Sequence, residues 1–334
     1  VVDRDGGFVT SSGDLLEVTY NRILNDASVA SVTIGVSGPG CCEDLARVRN
    51  WLQVFRDGVF MWSGPITNVS YSFDRVVIEA TDLIGLLDLR VPHQDFDFTG
   101  TDLTEIARQL VEDGLAPDDP GHSTTVIGPA GVTGGRAYNR NIGQTADHLR
   151  DLSETGMDFT AVGNNIVILP DSFCDVVGRL SDQDLPEGVT VAEDGSALAT
   201  RWVVAGSESS AVVGTAGGIH PYYGLLERYV EQTSIDDQAS ADQAAAAKLA
   251  ASLPVPVVID TQNVTLAPTA DVDVARIVPG WCLVVTTQIT CRSITQRLKI
   301  TGLQVTEDGG SGNTPGQERV QVQVAASGAE GGVI

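Results

Sequence analysis

Between residues 51 and 92 the chain alternates in the way half-buried strands do. Leu52 and Val54 interleave with polar neighbours, Arg56-Asp57-Gly58 supplies a tight turn, and Val76, Ile78 and Ala80 alternate again before Asp82. A period of two predicts antiparallel strands with one face toward a core. Extended upstream, the pattern predicts strands over 15–23, 29–36, 52–56, 59–62, 67–73 and 76–81, closing a small barrel or sandwich. Leu45 and Val48 are spaced for a short helix or turn over 41–48.

The period changes after Val91-Pro92. Leu103, Ile106, Ala107, Leu110 and Val111 recur at helical spacing, Asp102 with Glu105 forms a capping pattern, and Gly114 is placed as the stop. A second helix is predicted over 144–155, with Ala146, Leu149 and Leu152 inward, followed by a hairpin of 158–162 and 166–169 around Gly163-Asn164-Asn165. Between the helices, Gly128 to Gly135 reads as a flexible loop. Strands return at 200–205, 257–260, 264–267, 282–287, 298–305 and 319–324, the last placing Val320, Val322 and Val324 on one face. One alanine-rich helix interrupts them, capped by Ser240 and Gln243 and ended by Pro254. The tract 307–317 reads as a mobile hairpin loop and 328–334 as unstructured. The expected class is therefore mainly β with an α+β insertion: a barrel-like β-domain over 1–92, an inserted α/β domain over 93–178, and a second barrel-like β-domain over 179–334 carrying the helix.

Composition narrows the function. The 334 residues suffice for two or three domains, and 42% hydrophobic with 19% charged residues argues for a folded chain. The 36 glycines favour turn-rich β structure. With 20 Lys plus Arg against 44 Asp plus Glu, a net charge of -24 argues against gripping nucleic acid through its phosphates. It equally serves solubility. Cys41, Cys42, Cys174, Cys282 and Cys291 are odd in number and form no C-x-x-C pair, so reduced, buried thiols are expected, with a Cys282 to Cys291 bridge left open. No apolar run reaches a membrane-spanning length and Val1-Val2-Asp3-Arg4-Asp5 is no signal sequence, so a soluble chain made in a cytoplasm is expected. The first residue is not Met, which suggests that the extreme N-terminus is missing.

The same residues complete no catalytic motif. Gly35-Val36-Ser37-Gly38-Pro39 and Gly206-Ser207-Glu208 fail the spacing of a serine nucleophile elbow. His93, His122, His148 and His220 make no zinc motif, His148 is expected on a surface, and nothing selects a meeting of His122 with Cys174. Gly128 to Arg136 lacks the ending of a phosphate loop. The pairs Asp95/Asp97, Asp118/Asp119, Asp236/Asp237 and Asp271/Asp273 read as solvated surface, and neither Asp3-Arg4-Asp5-Gly6 nor Asp271-Val272-Asp273 completes a calcium loop. Trp51, Trp62, Trp202 and Trp281 could line a sugar-binding face, but packing is the expected role. The expectation is no enzyme, with no catalytic, cofactor-binding or metal residues and no cofactor.

The run from Arg56-Asp57-Gly58 through Trp62-Ser63-Gly64-Pro65-Ile66 and Ala80-Thr81-Asp82-Leu83 to Leu87-Asp88-Leu89-Arg90 resembles the minor tail proteins of actinobacterial siphophages, which are similar to the tail-tip hub proteins of tailed phages. Tyr20 to Asp26, Ala30 to Ile34, Gly224-Leu225-Leu226-Glu227 and Pro279-Gly280-Trp281 extend the resemblance over most of the chain. The resemblance implies a homotrimeric hub, with two barrel-like domains per subunit in a pseudo-sixfold ring. It joins the tail tube to the tip in contact with the distal tail protein, the tape-measure protein and other minor tail or fibre proteins. Viral DNA would pass through the lumen without specific binding, and the chain would reside at the virion tail tip after assembly in the host cytoplasm, without inserting into a membrane. The rival reading is a β-rich, host-glycan-binding tail adhesin.

Overall fold

Alternating residues become strands throughout the first region: β1 (Val2–Asp3), β2 (Leu15–Ile23), β3 (Val29–Gly35), β4 (Asn50–Arg56), β5 (Val59–Tyr71) and β6 (Arg75–Thr81), followed by helix α1 (Leu83–Leu87). This computed structural model describes the chain except residues 13–14, 37–44, 189, 193–197, 207–211, 234, 253–257, 261, 289–293, 311–315 and 327–334. The two strands expected over 59–62 and 67–73 are one. Strand β5 pairs through its first half with β4 and through its second with β6, turning a corner at Gly64-Pro65. Gly64 permits that corner because a Cβ there would overlap the carbonyl of Thr81. Of the helix or turn expected over 41–48, the part before Leu45 lies outside the described residues; Arg47 to Arg49 form a turn.

Helix α1 has no signature in the sequence pattern. All five of its residues are buried, so it has no polar face to reveal a period. The Asp82 carboxylate starts it by accepting from the backbone N–H groups of Ile84 (2.9 Å) and Gly85 (3.1 Å), and also from Ser28 (3.0 Å).

The second region comprises β7 (Phe96–Asp102), α2 (Leu103–Leu115), β8 (Ser123–Val126), β9 (Thr133–Tyr138), α3 (Thr145–Ser153), β10 (Met157–Val162) and β11 (Asn165–Pro170). Asp102 caps α2 through the Thr104 N–H, while Glu105 instead binds Arg108 and Gln109. Gly114 lies inside α2, close against Thr145 and Leu87, and does not end it. The expected flexible loop over 128–135 is a correction: from Thr133 onward it is strand β9, paired with β7. Its glycines serve close approach, since a Cβ on Gly134 would overlap the side chain of Ser240.

The third region holds β12 (Val176–Ser181), β13 (Thr190–Ala192), β14 (Arg201–Ala205), β15 (Val213–Gly217), β16 (Glu227–Glu231), α4 (Gln238–Ser252), β17 (Val258–Asp260), β18 (Gln262–Thr265), β19 (Cys282–Thr287), β20 (Ile294–Asp308) and β21 (Gln317–Ala326). Helix α4 begins earlier than expected, with Asp237 accepting from the Ser240 N–H; Pro254, Cys41, Cys42, Cys291 and the tail 328–334 lie outside the described residues.

The fold is mainly β, with an α/β insertion. Strands of the first and third regions share one eleven-stranded sheet in the order β1-β4-β5-β6-β3-β2-β20-β19-β12, with β21 against β20 and β18 against β21. Its central joint is β2 on β20, antiparallel from Glu17↔Asp308 to Ile23↔Gly302. Among the described residues the sheet curls into a barrel-like wall without closing a ladder. Arg56 at the end of β4 instead reaches Glu318 on β21 at 2.5 Å. One apolar core fills this sheet, a second binds α1, α2, α3, β10 and β11, and a small third lies under α4.

Candidate functional site

Within the curled sheet the β2 alternation sends Val18, Tyr20 and Arg22 to one face. Arg22 is fully buried and fastens three elements, donating to the carbonyls of Met61 (2.5 Å), Ala275 (3.1 Å) and Ile277 (3.0 Å). Burial lowers its pKa, and the carbonyl cluster supplies the acceptors that a buried guanidinium requires. At the other end of β2 the interior opens into a groove of about 360 Å³, floored by Leu15, Val18, Val32, Ile34 and Leu52, with Gln53 and Glu307 among its polar residues.

A second buried constellation joins the insertion to the sheet. Lys299 on β20 donates to the Asp158 carboxylate on β10 at 2.6 Å and also to the Asp171 carbonyl. Asn25, in the left-handed conformation at φ 63°, donates to the other Asp158 oxygen (2.7 Å) while its side-chain oxygen accepts from the Phe159 N–H (2.9 Å). Burial, then the charge of Asp158, raises the Asp171 pKa.

Beside this joint, Cys174 is disulfide-bonded to Cys282, with Cα atoms 5.1 Å apart. This overturns the expectation of reduced thiols at those positions and excludes a Cys282 to Cys291 bridge. The cause is tertiary: β12 pairs in parallel with β19, Val176 opposite Cys282, and the Cys282 N–H donates to the Asp175 carbonyl at 2.9 Å. Phe173 packs edge-on against Trp281, ring centroids 5.3 Å apart.

The histidines and paired carboxylates have local partners. His93 binds Asp113, His122 binds Asp119, and His220 accepts from the Tyr222 N–H. His148 lies half-buried at the surface of α3, with its ring 4.9 Å from Tyr138 and its Nε2 2.9 Å from the Ile142 carbonyl. Asp118 holds Arg4 and Arg90, Asp95 accepts from the Arg140 N–H, Asp237 accepts from the Gly135 N–H, Asp273 caps a short turn, and Asp3 pairs with Arg49. Trp51 and Trp62 are buried, and Trp202 donates to the Ser252 hydroxyl beneath Lys248. Among the described residues no group of three or more His, Cys, Asp or Glu is gathered to hold a metal ion, and no helix is long and apolar enough to cross a membrane. What these arrangements accomplish is attachment: buried polar ties hold the insertion, the curled sheet and the third region together.

This architecture is similar to that of solved phage tail proteins. Across 94% of its length the chain matches 94% of the prophage MuSo2 43 kDa tail protein from Shewanella oneidensis, with a TM-score of 0.62 at 13% identity. It matches the prophage tail protein gp18 from Listeria monocytogenes EGD-e with a TM-score of 0.61 at 12% identity, covering 98% of this chain and 94% of that one. A further likeness, with a TM-score of 0.56 at 12% identity over 96% of this chain and 76% of the other, is to the E. coli c3393 protein. That protein is described as a component of the type VI secretion system with structural similarity to T4 bacteriophage tail proteins gp27 and gp5. No family model and no curated protein matches the sequence.

Proposed function

We propose that this chain is the central hub of a siphophage tail tip, of the actinobacterial type: a homotrimer that joins the tail tube to the tip and surrounds the exit path of the DNA. The observation that carries the reading is the end-to-end likeness of fold to prophage tail proteins, joined by a likeness to a type VI secretion system component described as structurally similar to gp27 and gp5. The domain reading follows the same line: regions 1–92 and 179–334 supply barrel-like wall and region 93–178 braces it.

The role asks for mechanical continuity, and the buried ties at Arg22 and at Lys299 with Asp158 suit a subunit that transmits force. An excess of 44 acidic over 20 basic residues suits a channel through which DNA slides. Partners under this reading are the distal tail protein, the tape-measure protein and fibre proteins, with assembly in the host cytoplasm and residence at the virion tail tip. The glycan-binding rival finds little support, because the tryptophans it would use are buried or packed on their own chain.

Light scattering on the purified chain, with cryo-electron microscopy of intact tails, tests the proposal. A threefold assembly at the tip around an axial channel is the expected result. A position along the tube or in the fibres overturns it.

A further inference from the structure

The joint between the insertion and the sheet holds more than an ion pair. Lys299 of β20 and Asp158 of β10 are only 8% and 6% exposed, so bulk water is largely kept from both. One Asp158 oxygen accepts from the Lys299 Nζ at 2.6 Å and the other from the Asn25 Nδ2 at 2.7 Å. The amine and the carboxamide therefore stand side by side on the two oxygens of one carboxylate. The Asn25 side-chain oxygen accepts from the Phe159 N–H at 2.9 Å, which polarises the carboxamide toward attack at its carbon. Asn25 is also fixed through the backbone: its own N–H donates to the Phe159 carbonyl (2.8 Å), and the Leu24 N–H donates to the carbonyl of Thr301 (2.9 Å), close to Lys299 on β20. A nucleophile, an electrophile, a proton carrier and an oxyanion donor are thus gathered in a water-poor site.

We propose that Lys299 and Asn25 condense into an intramolecular isopeptide bond, with Asp158 carrying the proton. The ion pair is the reactant state, and the bond forms from it with time. Asp158 takes a proton from the Lys299 ammonium, and the freed amine attacks Cγ of Asn25. The negative charge that develops on the Asn25 Oδ1 is met by the Phe159 N–H. Asp158 then hands its proton to the Asn25 Nδ2 and takes one from the attacking nitrogen; the Cγ–Nδ2 bond breaks and ammonia leaves. The products are a secondary amide, ammonia and a neutral Asp158 carboxyl, so atoms and charge balance without an oxidant or any other reactant. Two buried charges vanish in the step, which lifts the desolvation penalty of the ion pair. Asp158 is the poorer acceptor for the amine, because its carboxylate is negative where the Asn25 carboxamide is neutral and polarised. The bond ties the turn after β2 to β20, and so the first region to the third. It lies beside the Cys174–Cys282 bridge, since Cys282 is the residue opposite Lys299 on β19. Unlike that bridge, it is indifferent to reductant.

The inference is independent of the hub reading, because it concerns the single chain. The test is mass spectrometry of the purified chain, denatured and with its disulfide reduced, both fresh and after incubation for days, on the wild type, Asn25→Gly and Asp158→Asn. Glycine adopts the φ of 63° found at Asn25 without strain and leaves the Lys299–Asp158 pair in place, so Asn25→Gly retains the fold. The wild type is expected to lose the mass of one ammonia, and trypsin should release a branched peptide in which Lys299 is uncleaved and joined to Asn25. Asn25→Gly should keep its full sequence mass. Asp158→Asn, once circular dichroism shows it folded, should link at least about a hundredfold more slowly; linkage at the wild-type rate would remove Asp158 from the reaction. A wild type that holds its full sequence mass throughout overturns the proposal. So does ammonia lost within Asn25-Asp26 alone while Lys299 stays open to trypsin, which marks a cyclised asparagine, or water lost by joining Lys299 to Asp158. A linked chain that is absent from the tail tip removes the hub reading and leaves the bond; an unlinked chain seated at the tip does the reverse.

Discussion

Reducing the Cys174–Cys282 disulfide should cost the chain a large share of its stability. The two cysteines are 108 residues apart, so the bridge closes a long loop in the unfolded chain. Chain-entropy arithmetic for a loop of that length gives about 5 kcal/mol at 25 °C. Folded domains are stable by only about 5–15 kcal/mol, so the bridge can decide whether the third region stays folded. With a urea dependence of about 2–3 kcal/mol per M, the unfolding midpoint should fall by roughly 2 M. Urea titration with and without a phosphine reductant, read by tryptophan fluorescence, is the assay; Trp281 packs edge-on against Phe173 next to the bridge and reports on it directly. Cys282 is fully buried, so reduction of the native chain must wait for local opening, and samples are best reduced in denaturant and refolded. Equal midpoints, with thiol titration showing the bridge open in one sample and closed in the other, would refute the reasoning. So would mass spectrometry that finds both cysteines alkylated without reduction.

Lys299→Met should destabilise by about 3–5 kcal/mol, since it strands the Asp158 carboxylate in the joint; adding Asp158→Leu should recover most of the loss in thermal melts, and an additive double variant would contradict the pairing. Asp82 is buried, and desolvation outweighs its three backbone donors, raising its pKa from 3.8 to about 6. Folding thus favours the protonated carboxyl, and this stability, about 3 kcal/mol at most, is complete below about pH 4 and lost as pH rises through 6. Asp82→Asn keeps a capping oxygen and should flatten the melting profile across that window; an unchanged slope would assign the pH dependence elsewhere. Gly64→Ala forces a Cβ onto the Thr81 carbonyl at the corner of β5, and a loss of at least about 2 kcal/mol is expected in chemical denaturation.

Local pattern alone determined much of this molecule. Strands β2 and β19 occupy the residues their alternation marks, α2 starts at Asp102, and Val320 and Val322 are buried on one face as their spacing requires. Each is a short-range consequence of side-chain period and capping chemistry, which a chain carries in its order of residues. Helix α1 escaped because a five-residue helix buried on every side has no period, and β9 escaped because Gly134-Gly135 has the composition of a loop until Ser240 and Asp237 of another region are laid against it. The disulfide, the Lys299–Asp158 pair and the Arg22 carbonyl cluster join residues more than thirty positions apart, as does the union of the first and third regions in one sheet. Only the tertiary structure could decide these, because the free energy of a buried charge or thiol depends on which distant groups surround it, and no local spacing encodes that.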